Sequence, residues 1–70
     1  MTVRVPMPAG YTGVLALAGG RVTIEVLDAE GAVRRTVRGP WNAARLRATR
    51  DSQILYLVDR AIERGAPRPS

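Results

Sequence analysis

A pair of adjacent glycines, Gly19-Gly20, separates two runs of residues that alternate between apolar and other side chains. Such a pair favours the tight two-residue turn that joins antiparallel strands, because both central residues of that turn need positive φ. With the glycines as the loop, Leu17 faces Val22. Leu15 then faces Ile24, so the larger apolar side chains share one side of a β-hairpin. The sequence therefore predicts a hairpin whose register is defined.

A second turn is predicted at Asp28-Ala29-Glu30-Gly31, which fits a type I turn followed by a glycine in the left-handed region. Two registers are open for the strand that returns from it. A three-residue loop pairs Glu25 with Arg35 across the strands. A four-residue loop instead sends Val33 and Val37 to the core-facing side of the sheet.

Both ends of the chain are predicted to be extended. Residues 1–8 contain alternating apolar positions and two prolines, which cannot donate to a strand ladder. This segment is therefore interpreted as an edge strand or a polyproline-like arm. The tail over 66–70 contains two prolines and no larger apolar residue, so it is expected to be an extended tail.

The second half of the chain allows two interpretations, because short apolar runs do not distinguish strands from helices. The favoured one is a third hairpin that pairs 45–49 with 53–58, followed by a short helical turn over 59–64. The alternative is a single helix over 52–64. Asp51 or Ser52 would cap its start, and Gly65 stands where it would stop.

These elements predict a mainly β fold in a single domain over 1–70. The expected architecture is a small antiparallel, hairpin-based sandwich or barrel of about 5–6 short strands, with a short C-terminal helix possible. The predicted core consists of Leu15, Leu17, Val22, Ile24, Val26, Trp41 and Tyr56.

Three residue types that carry chemistry are missing, since the chain contains no cysteine, histidine or lysine. Disulfides, thiolate metal sites and the usual nucleophile–base pairs are therefore excluded. Asp59 and Glu63 would share one helix face, but arginines stand beside both, as on an ordinary solvated face. We expect no enzymatic activity, no cofactor, no metal and no small-molecule ligand. A small fold without these staples is expected to gain stability from a partner or a second copy.

All 11 basic residues are arginines, and the net charge is +5. Arginine suits anionic partners, although GC-rich coding also favours it. Ten residues from the N-terminal arm and the arginine-bearing strands are the candidate partner contacts: Val3, Arg4, Val5, Met7, Arg34, Arg35, Arg38, Arg45, Arg47 and Arg50. Nucleic acid is a second candidate partner, with Tyr11, Trp41 or Tyr56 available to stack bases.

The N-terminal residues lack the apolar run of a signal peptide, and no apolar stretch is long enough to span a bilayer. We therefore expect no secretion by a signal peptide and no membrane partner. A cytoplasmic location is the default expectation.

The rhythm of the chain resembles the small β-rich virion proteins of tailed bacteriophages, among them capsid decoration and minor head or tail proteins. The residues that carry this resemblance are Pro8-Ala9-Gly10-Tyr11-Thr12-Gly13, Gly19-Gly20-Arg21-Val22-Thr23-Ile24-Glu25-Val26, Gly39-Pro40-Trp41 and Arg45-Leu46-Arg47-Ala48-Thr49-Arg50. The resemblance implies a structural role in the virion and contacts with capsid or tail subunits.

Together these features predict a non-catalytic structural or assembly protein that works through protein–protein contacts, most plausibly as a virion component. The partners would be capsid or other virion subunits, or further copies of the chain. A small basic nucleic-acid-binding module is the alternative, and a regulator that binds a host protein is a third reading.

Overall fold

The structure is a computed structural model that describes residues 1–69. Four strands form one antiparallel sheet in chain order, and two helices follow them. A single 3-10 turn, Pro8–Gly10, joins the first two strands. The elements are β1 (Thr2–Pro6), β2 (Thr12–Ala18), β3 (Arg21–Leu27), β4 (Val33–Pro40), α1 (Trp41–Ala48) and α2 (Ser52–Glu63).

The first predicted hairpin is confirmed, because β2 and β3 pair in the expected register. Leu17 lies opposite Val22, and Leu15 lies opposite Ile24. The connecting Gly19-Gly20 has φ values of 57° and 75°, which a residue with a Cβ adopts only with strain. The glycine pair therefore fixes both the turn and the face on which the apolar side chains lie.

The second hairpin begins with the three-residue loop. The Asp28 N–H donates to the Ala32 carbonyl at 2.9 Å, and the Gly31 N–H donates to the Asp28 carbonyl at 3.0 Å. The Asp28 carboxylate also accepts from the Glu30 and Ala32 amides, at 3.0 and 2.9 Å. Gly31 has a φ of 85°, as predicted for the left-handed position.

A β-bulge then shifts the register of β4 by one residue, with Arg34 as the extra residue. From Arg35 onward the strand follows the register of the four-residue loop. Val37 consequently lies on the core-facing side, as that register predicts. Val33 precedes the bulge and is 51% exposed, so its predicted place in the core is wrong. The pairing of Glu25 with Arg35 is also wrong, since the bulge moves Arg35 one step along β3.

The N-terminal segment is an edge strand, because β1 pairs with β2 over Thr2–Pro6 and has no neighbour on its other side. Val3 lies opposite Leu15, and Val5 lies opposite Gly13. The strand alternates cleanly, with Val3 and Val5 buried and the residues between them exposed.

The predicted third hairpin is wrong, because 41–48 and 52–63 are helices. In 45–49, arginine alternates with apolar residues, and this pattern fits a strand in which Leu46 faces the core. Leu46 is instead 75% exposed. The buried positions of α1 are Trp41, Ala44 and Ala48, which follow helical spacing with small side chains.

The helical alternative for the last segment is confirmed by α2. Its buried residues are Ile54, Leu57, Val58 and Ala61, which form one helical stripe. Asp51 is the N-cap, and Ser52 lies within the helix. Gly65 follows the helix with a φ of 113°.

The fold class is therefore mixed α/β, with about 39% strand and 33% helix. The expected sandwich or barrel is wrong, because the sheet is open and the helices cover only one of its faces. Helix α2 contacts β1 and β2, and α1 contacts β3 and β4. In the part of the chain that the structure describes, no helix is long and apolar enough to cross a membrane.

The core lies between the sheet and the helices. Five of the predicted core residues are buried there, namely Leu15, Val22, Ile24, Val26 and Trp41, and Leu17 is partly buried against them. Tyr56 is 37% exposed, so its predicted place in the core is wrong. It faces outward on α2, where the Arg60 guanidinium lies 5.3 Å from its ring centroid.

The tail lies partly in the same core. Ala66 is buried, and the Pro67 carbonyl accepts a 2.9 Å hydrogen bond from the Trp41 indole N–H. Residues 66–69 have no regular secondary structure, in line with an extended tail. Ser70, the last residue of that prediction, lies outside the described residues.

The closest approach of α2 to the sheet is at Gly13, which is buried in β2. A Cβ at this position would overlap with the Leu57 side chain and would lie 3.0 Å from the Met7 sulfur. Leu57 thus occupies the space that a side chain would need, and the missing Cβ lets α2 lie close to β2.

Replacement of Gly13 by alanine should destabilise the protein by about 1–3 kcal/mol, because Leu57 is fully buried and has no free space into which to move. Gly39→Ala is the matched control. A Cβ at Gly39 would meet only the guanidinium end of the Arg47 side chain, which can swing away. Urea unfolding should give a distinctly smaller loss for Gly39→Ala, and equal losses would contradict this account of the α2–β2 contact.

Asp51 stabilises the start of α2 in two ways. Its carboxylate accepts a 3.2 Å hydrogen bond from the Ile54 amide, as an N-cap does. The same carboxylate accepts a hydrogen bond from the Arg35 guanidinium on β4. The hydrogen bond from Arg35 holds the pKa of Asp51 below its ordinary value of 3.8, although partial burial opposes this shift. The residue therefore links the helix cap to the sheet.

Asp51→Ala should cost about 1 kcal/mol of stability through loss of the cap, whereas Asp51→Asn should cost less because asparagine caps helices as well. Since the folded pKa is depressed, the ionic contribution is present in full above the ordinary pKa and is lost as the pH falls through the folded pKa. Unfolding free energies measured from pH 7 to pH 2 should thus show wild type and Asp51→Asn converging in acid. A difference in unfolding free energy between the two proteins that stays constant with pH would exclude the ionic contribution of Asp51.

Candidate interaction surfaces

The N-terminal arm does not supply the partner contacts that its sequence suggested. Val3, Val5 and Met7 are buried against the chain's own helices, so their prediction as partner contacts is wrong. They were read as free because a proline-bearing end resembles an arm, whereas β1 is an integral strand of the sheet. Arg4 points to the opposite side of β1 and is exposed.

The side of the sheet away from the helices is a continuous surface, which we call the outer face. Regular structure in residues 1–69 leaves it uncovered, since both helices lie on the other side. Valine and alanine occupy its part on β2, and its charged residues are distributed over β1, β3 and β4. Its residues, by strand, are Thr2, Arg4 and Pro6; Thr12, Val14, Ala16 and Ala18; Arg21, Thr23, Glu25 and Leu27; and Val33, Thr36, Arg38 and Pro40.

The outer face carries arginines without acidic partners. Arg4, Arg21 and Arg38 have no ion pair among the described residues. Glu25 is the only carboxylate on this face, in the middle of β3. Arg34, at the bulge, lies 3.7 Å from the Asp28 carboxylate at the hairpin tip. The face is therefore basic overall.

The other candidate arginines lie elsewhere, so the predicted set does not form one patch. Arg35 is on the helix side of β4, where it binds Asp51 and lies 3.3 Å from the Gln53 amide oxygen. Arg45 on α1 forms an ion pair with Asp59 on α2 at 3.2 Å. Arg50 is exposed in the turn between the helices. Alternation along an assumed strand placed Arg45 and Arg47 on one side of a sheet, but both residues lie on α1.

The aromatic residues also lie away from the outer face. Trp41 is buried in the core, and Tyr11 is partly buried against it. Tyr56 is on the exposed side of α2. None of the three side chains is therefore in place to stack a base on the basic side of the sheet.

The second open feature is a groove between β4 and the helices, which we call the β4 cleft. Its volume is about 200 Å³. Aliphatic side chains form its floor, and Arg35, Arg47 and Asp51 stand at its rim. The lining comprises Val22, Ile24, Arg35, Val37, Gly39, Pro40, Ala44, Arg47, Ala48, Asp51 and Ile54.

Arg47 crosses the mouth of this cleft. Its guanidinium passes over Gly39, where a Cβ would overlap with it, and donates a 2.8 Å hydrogen bond to the Arg38 carbonyl. Arg47 was predicted to lie on a strand as a partner contact. It lies instead on α1 and reaches the edge of β4 from the helix side.

The two carboxylates that the sequence places on one helix face both have arginine partners. Asp59 forms an ion pair with Arg45, and Glu63 forms one with Arg60 at 3.0 Å. Within residues 1–69, no group of three or more acidic side chains is placed to hold a metal ion. These pairs are exposed and contribute little to stability.

The sequence did not predict the β4 cleft, because one wall of the cleft is α1, which was interpreted as a strand. Two signals were available. Gly39 is a glycine inside a strand pattern, which often marks a close approach. Ala44 and Ala48 stand at i and i+4, the spacing of a small-residue helix face.

Comparison with known proteins gave no match. No protein-family model matches the chain, no curated protein matches its sequence, and no solved structure matches its fold.

Proposed function

We propose that this chain is a non-catalytic structural or assembly protein that works through protein–protein contacts. The observation that carries the proposal is the outer face, a four-stranded surface that residues 1–69 leave bare. Antiparallel sheets often leave one face to solvent, and such faces then carry mainly polar side chains. Here Val14 and Ala16 sit at the centre, which suits contact with another protein.

The two sheet edges add to this surface. Edge strands present unpaired backbone groups that pair readily with a neighbouring chain. A short chain with a bare face and two edges is suited to insertion between larger neighbours, which would cover what its own helices leave open. The proposal thus also accounts for how a fold without disulfides gains stability.

A virion is the specific setting that we propose, with capsid or tail subunits or further copies of this chain as the neighbours. This part rests on the resemblance of the chain's rhythm to small β-rich virion proteins of tailed phages. The sheet keeps the hairpin part of that rhythm. The two helices depart from it.

Nucleic-acid binding is the second candidate, and one observation favours it. Arg4, Arg21 and Arg38 project from the outer face without ion pairs among the described residues. Guanidinium groups on one face can track a phosphate backbone. The aromatic residues that stack bases in single-strand binders lie on the helix side, however, and Glu25 stands between the arginines. The protein contact is therefore the better supported function.

The assembly proposal is tested by recovering the chain under mild conditions from cells or particles that produce it. It should fractionate with a complex much larger than its own 7.6 kDa, and nuclease treatment should not release it. Ala16→Asp should abolish this co-fractionation, because it places a charge at the centre of the outer face. Ala29→Asp, at the exposed hairpin tip, is the matched control and should retain it. A freely monomeric wild-type chain would refute the proposal.

The two candidates differ in their response to salt. We expect the purified protein to bind a 30-nucleotide single strand weakly, with an affinity on the order of non-specific binding. Ala16→Asp should lower this affinity only through its added negative charge. A nucleic-acid module should instead bind tightly and lose affinity steeply with added salt. Fluorescence anisotropy at about 50 and 200 mM salt separates these outcomes.

A further inference from the structure

The backbone of β4 exposes hydrogen-bonding groups along its free edge. The Trp41 N–H donates to the Gly20 carbonyl at 2.9 Å, so this pair faces β3. Because hydrogen-bonded residues alternate along an antiparallel strand, Gly39 and Val37 also face β3. The N–H and C=O groups of Thr36 and Arg38 therefore point away from the sheet. They form a template for one more strand.

The two edges of the sheet differ in the grooves beside them. By the same alternation, each edge strand ends in an outward proline, Pro6 on β1 and Pro40 on β4, and keeps the amides of its two other outward residues, which on β4 are Thr36 and Arg38. The groove beside β1 is lined by charged side chains as well as apolar ones, whereas the β4 cleft has an aliphatic floor. An added strand would thus find both backbone partners and a side-chain pocket at β4.

The β4 cleft has the size and lining for one aliphatic side chain. Its volume is about 200 Å³, and an apolar cavity of roughly 150 Å³ in another protein accepts benzene. Val22, Ile24 and Ile54 contribute apolar surface, while Gly39 contributes no side chain. In strand addition, alternate side chains of the incoming segment point to the same side of the sheet. Every second residue would therefore face the helix side, where the cleft lies.

Arg47 now occupies part of the place where the added strand would lie. Its hydrogen bond to the Arg38 carbonyl is one that an incoming backbone N–H would replace. The Arg47 side chain is exposed and flexible enough to move to the rim, so the exchange costs one hydrogen bond and gains another. In that position its charge faces the added segment.

The charges around the edge identify the class of segment. Arg38 lies on the outer side of the edge, Arg34 lies at the bulge, and Arg35 and Arg47 lie at the cleft rim. Asp51 pairs with Arg35 and Asp28 lies 3.7 Å from Arg34, so the uncompensated charges at this edge are those of Arg38 and Arg47. A second copy paired antiparallel about Thr36 would set Arg38 opposite Arg34, which is unfavourable. An acidic segment has the opposite charge.

We propose that the free edge of β4 binds an extended acidic segment of another protein by strand addition, with one aliphatic side chain in the β4 cleft. Acidic side chains at the flanking positions point to the outer side and meet Arg38. The inference rests on the proposed assembly function, since it names one way in which the chain contacts a neighbour.

The probe for this site is a fluorescein-labelled peptide of alternating glutamate and valine, with a lysine–valine peptide of equal length as its counterpart. The purified full chain should bind the glutamate probe and should bind the lysine probe at least about tenfold more weakly, a difference of about 1.4 kcal/mol. Hydrogen exchange should slow at the Thr36 and Arg38 amides when the glutamate probe is bound. Binding of both probes with equal affinity would overturn the charge argument.

Three variants locate the binding. Thr36→Pro removes an outward N–H without touching the β3–β4 ladder, and it should weaken the glutamate probe about tenfold or more. Thr2→Pro makes the same change at an outward position of β1 and should leave binding intact. Arg38→Glu, an exposed change that does not depend on a proline, should weaken the glutamate probe and strengthen the lysine probe. Unchanged binding by Thr36→Pro and Arg38→Glu would refute the site.

Occupation of the edge by a second copy is a separate outcome. It would appear in sedimentation as a dimer that Thr36→Pro converts to a monomer, and it would overturn the choice of an acidic segment. Failure of this inference leaves the assembly proposal open to its own test. Ala16→Asp lies on β2, away from the β4 edge, so loss of assembly in that variant does not depend on peptide binding to β4.

Discussion

The contact between Leu57 and Gly13 sets the architecture of this protein. Because β2 has no side chain at Gly13, α2 lies close to the sheet, and Leu57 is fully buried there. The remaining contacts follow from this short distance. Helix α2 buries Ile54, Leu57, Val58 and Ala61 against the sheet, whereas the small Ala44 and Ala48 of α1 leave the β4 cleft open beside them. A chain with few large apolar side chains thus forms a continuous core by bringing its two layers close together.

The bulge at Arg34 decides which residues of β4 join that core. Without the extra residue, the pairing that starts at the hairpin tip would place Val37 on the outer side and Arg38 on the helix side. A shift of one residue exchanges the two faces of a strand. The bulge thus brings Val37 and Gly39 inward, and it places Arg38 outward. The place of Arg38 on the outer face and the apolar lining that β4 gives to the cleft are two consequences of one irregularity.

The sequence predicted the first hairpin fully, because turn chemistry and apolar alternation both depend on neighbours within a few residues. It indicated both registers of the second hairpin but did not distinguish between them. A bulge combines the two registers, and the residue types of Arg34 and Arg35 do not mark its position. The helices were misassigned for a different reason. Residues 45–49 were interpreted as a strand because arginine alternates with apolar residues there. The buried positions of α1 are instead Trp41, Ala44 and Ala48, and Leu46 faces solvent.

The candidate contacts were only partly located, because some of them are covered by a helix that is distant in the chain. Arg4, Arg34 and Arg38 are exposed at the sheet surface, where local alternation predicts them. Val3, Val5 and Met7 required knowledge of α2, more than 40 residues further along the chain, which covers them. Local pattern cannot supply contacts at that separation, because many placements of a distant helix satisfy the same strand.

Both edges of the sheet are partly protected against pairing with other chains, and the protection at β4 includes an arginine side chain. An unprotected edge pairs with any extended chain. Pro6 and Pro40 remove donors at outward positions, and Arg47 occupies the Arg38 carbonyl, so indiscriminate pairing is suppressed. The Arg38 carbonyl on β4 is protected by the exposed side chain of Arg47. In the proposed binding mode, an incoming strand with its own N–H and a negative charge for the arginines displaces Arg47 from the Arg38 carbonyl. A basic or neutral strand brings only the N–H and does not displace it. Selectivity at this edge would therefore come from charge, and the backbone would supply affinity that is the same for every sequence.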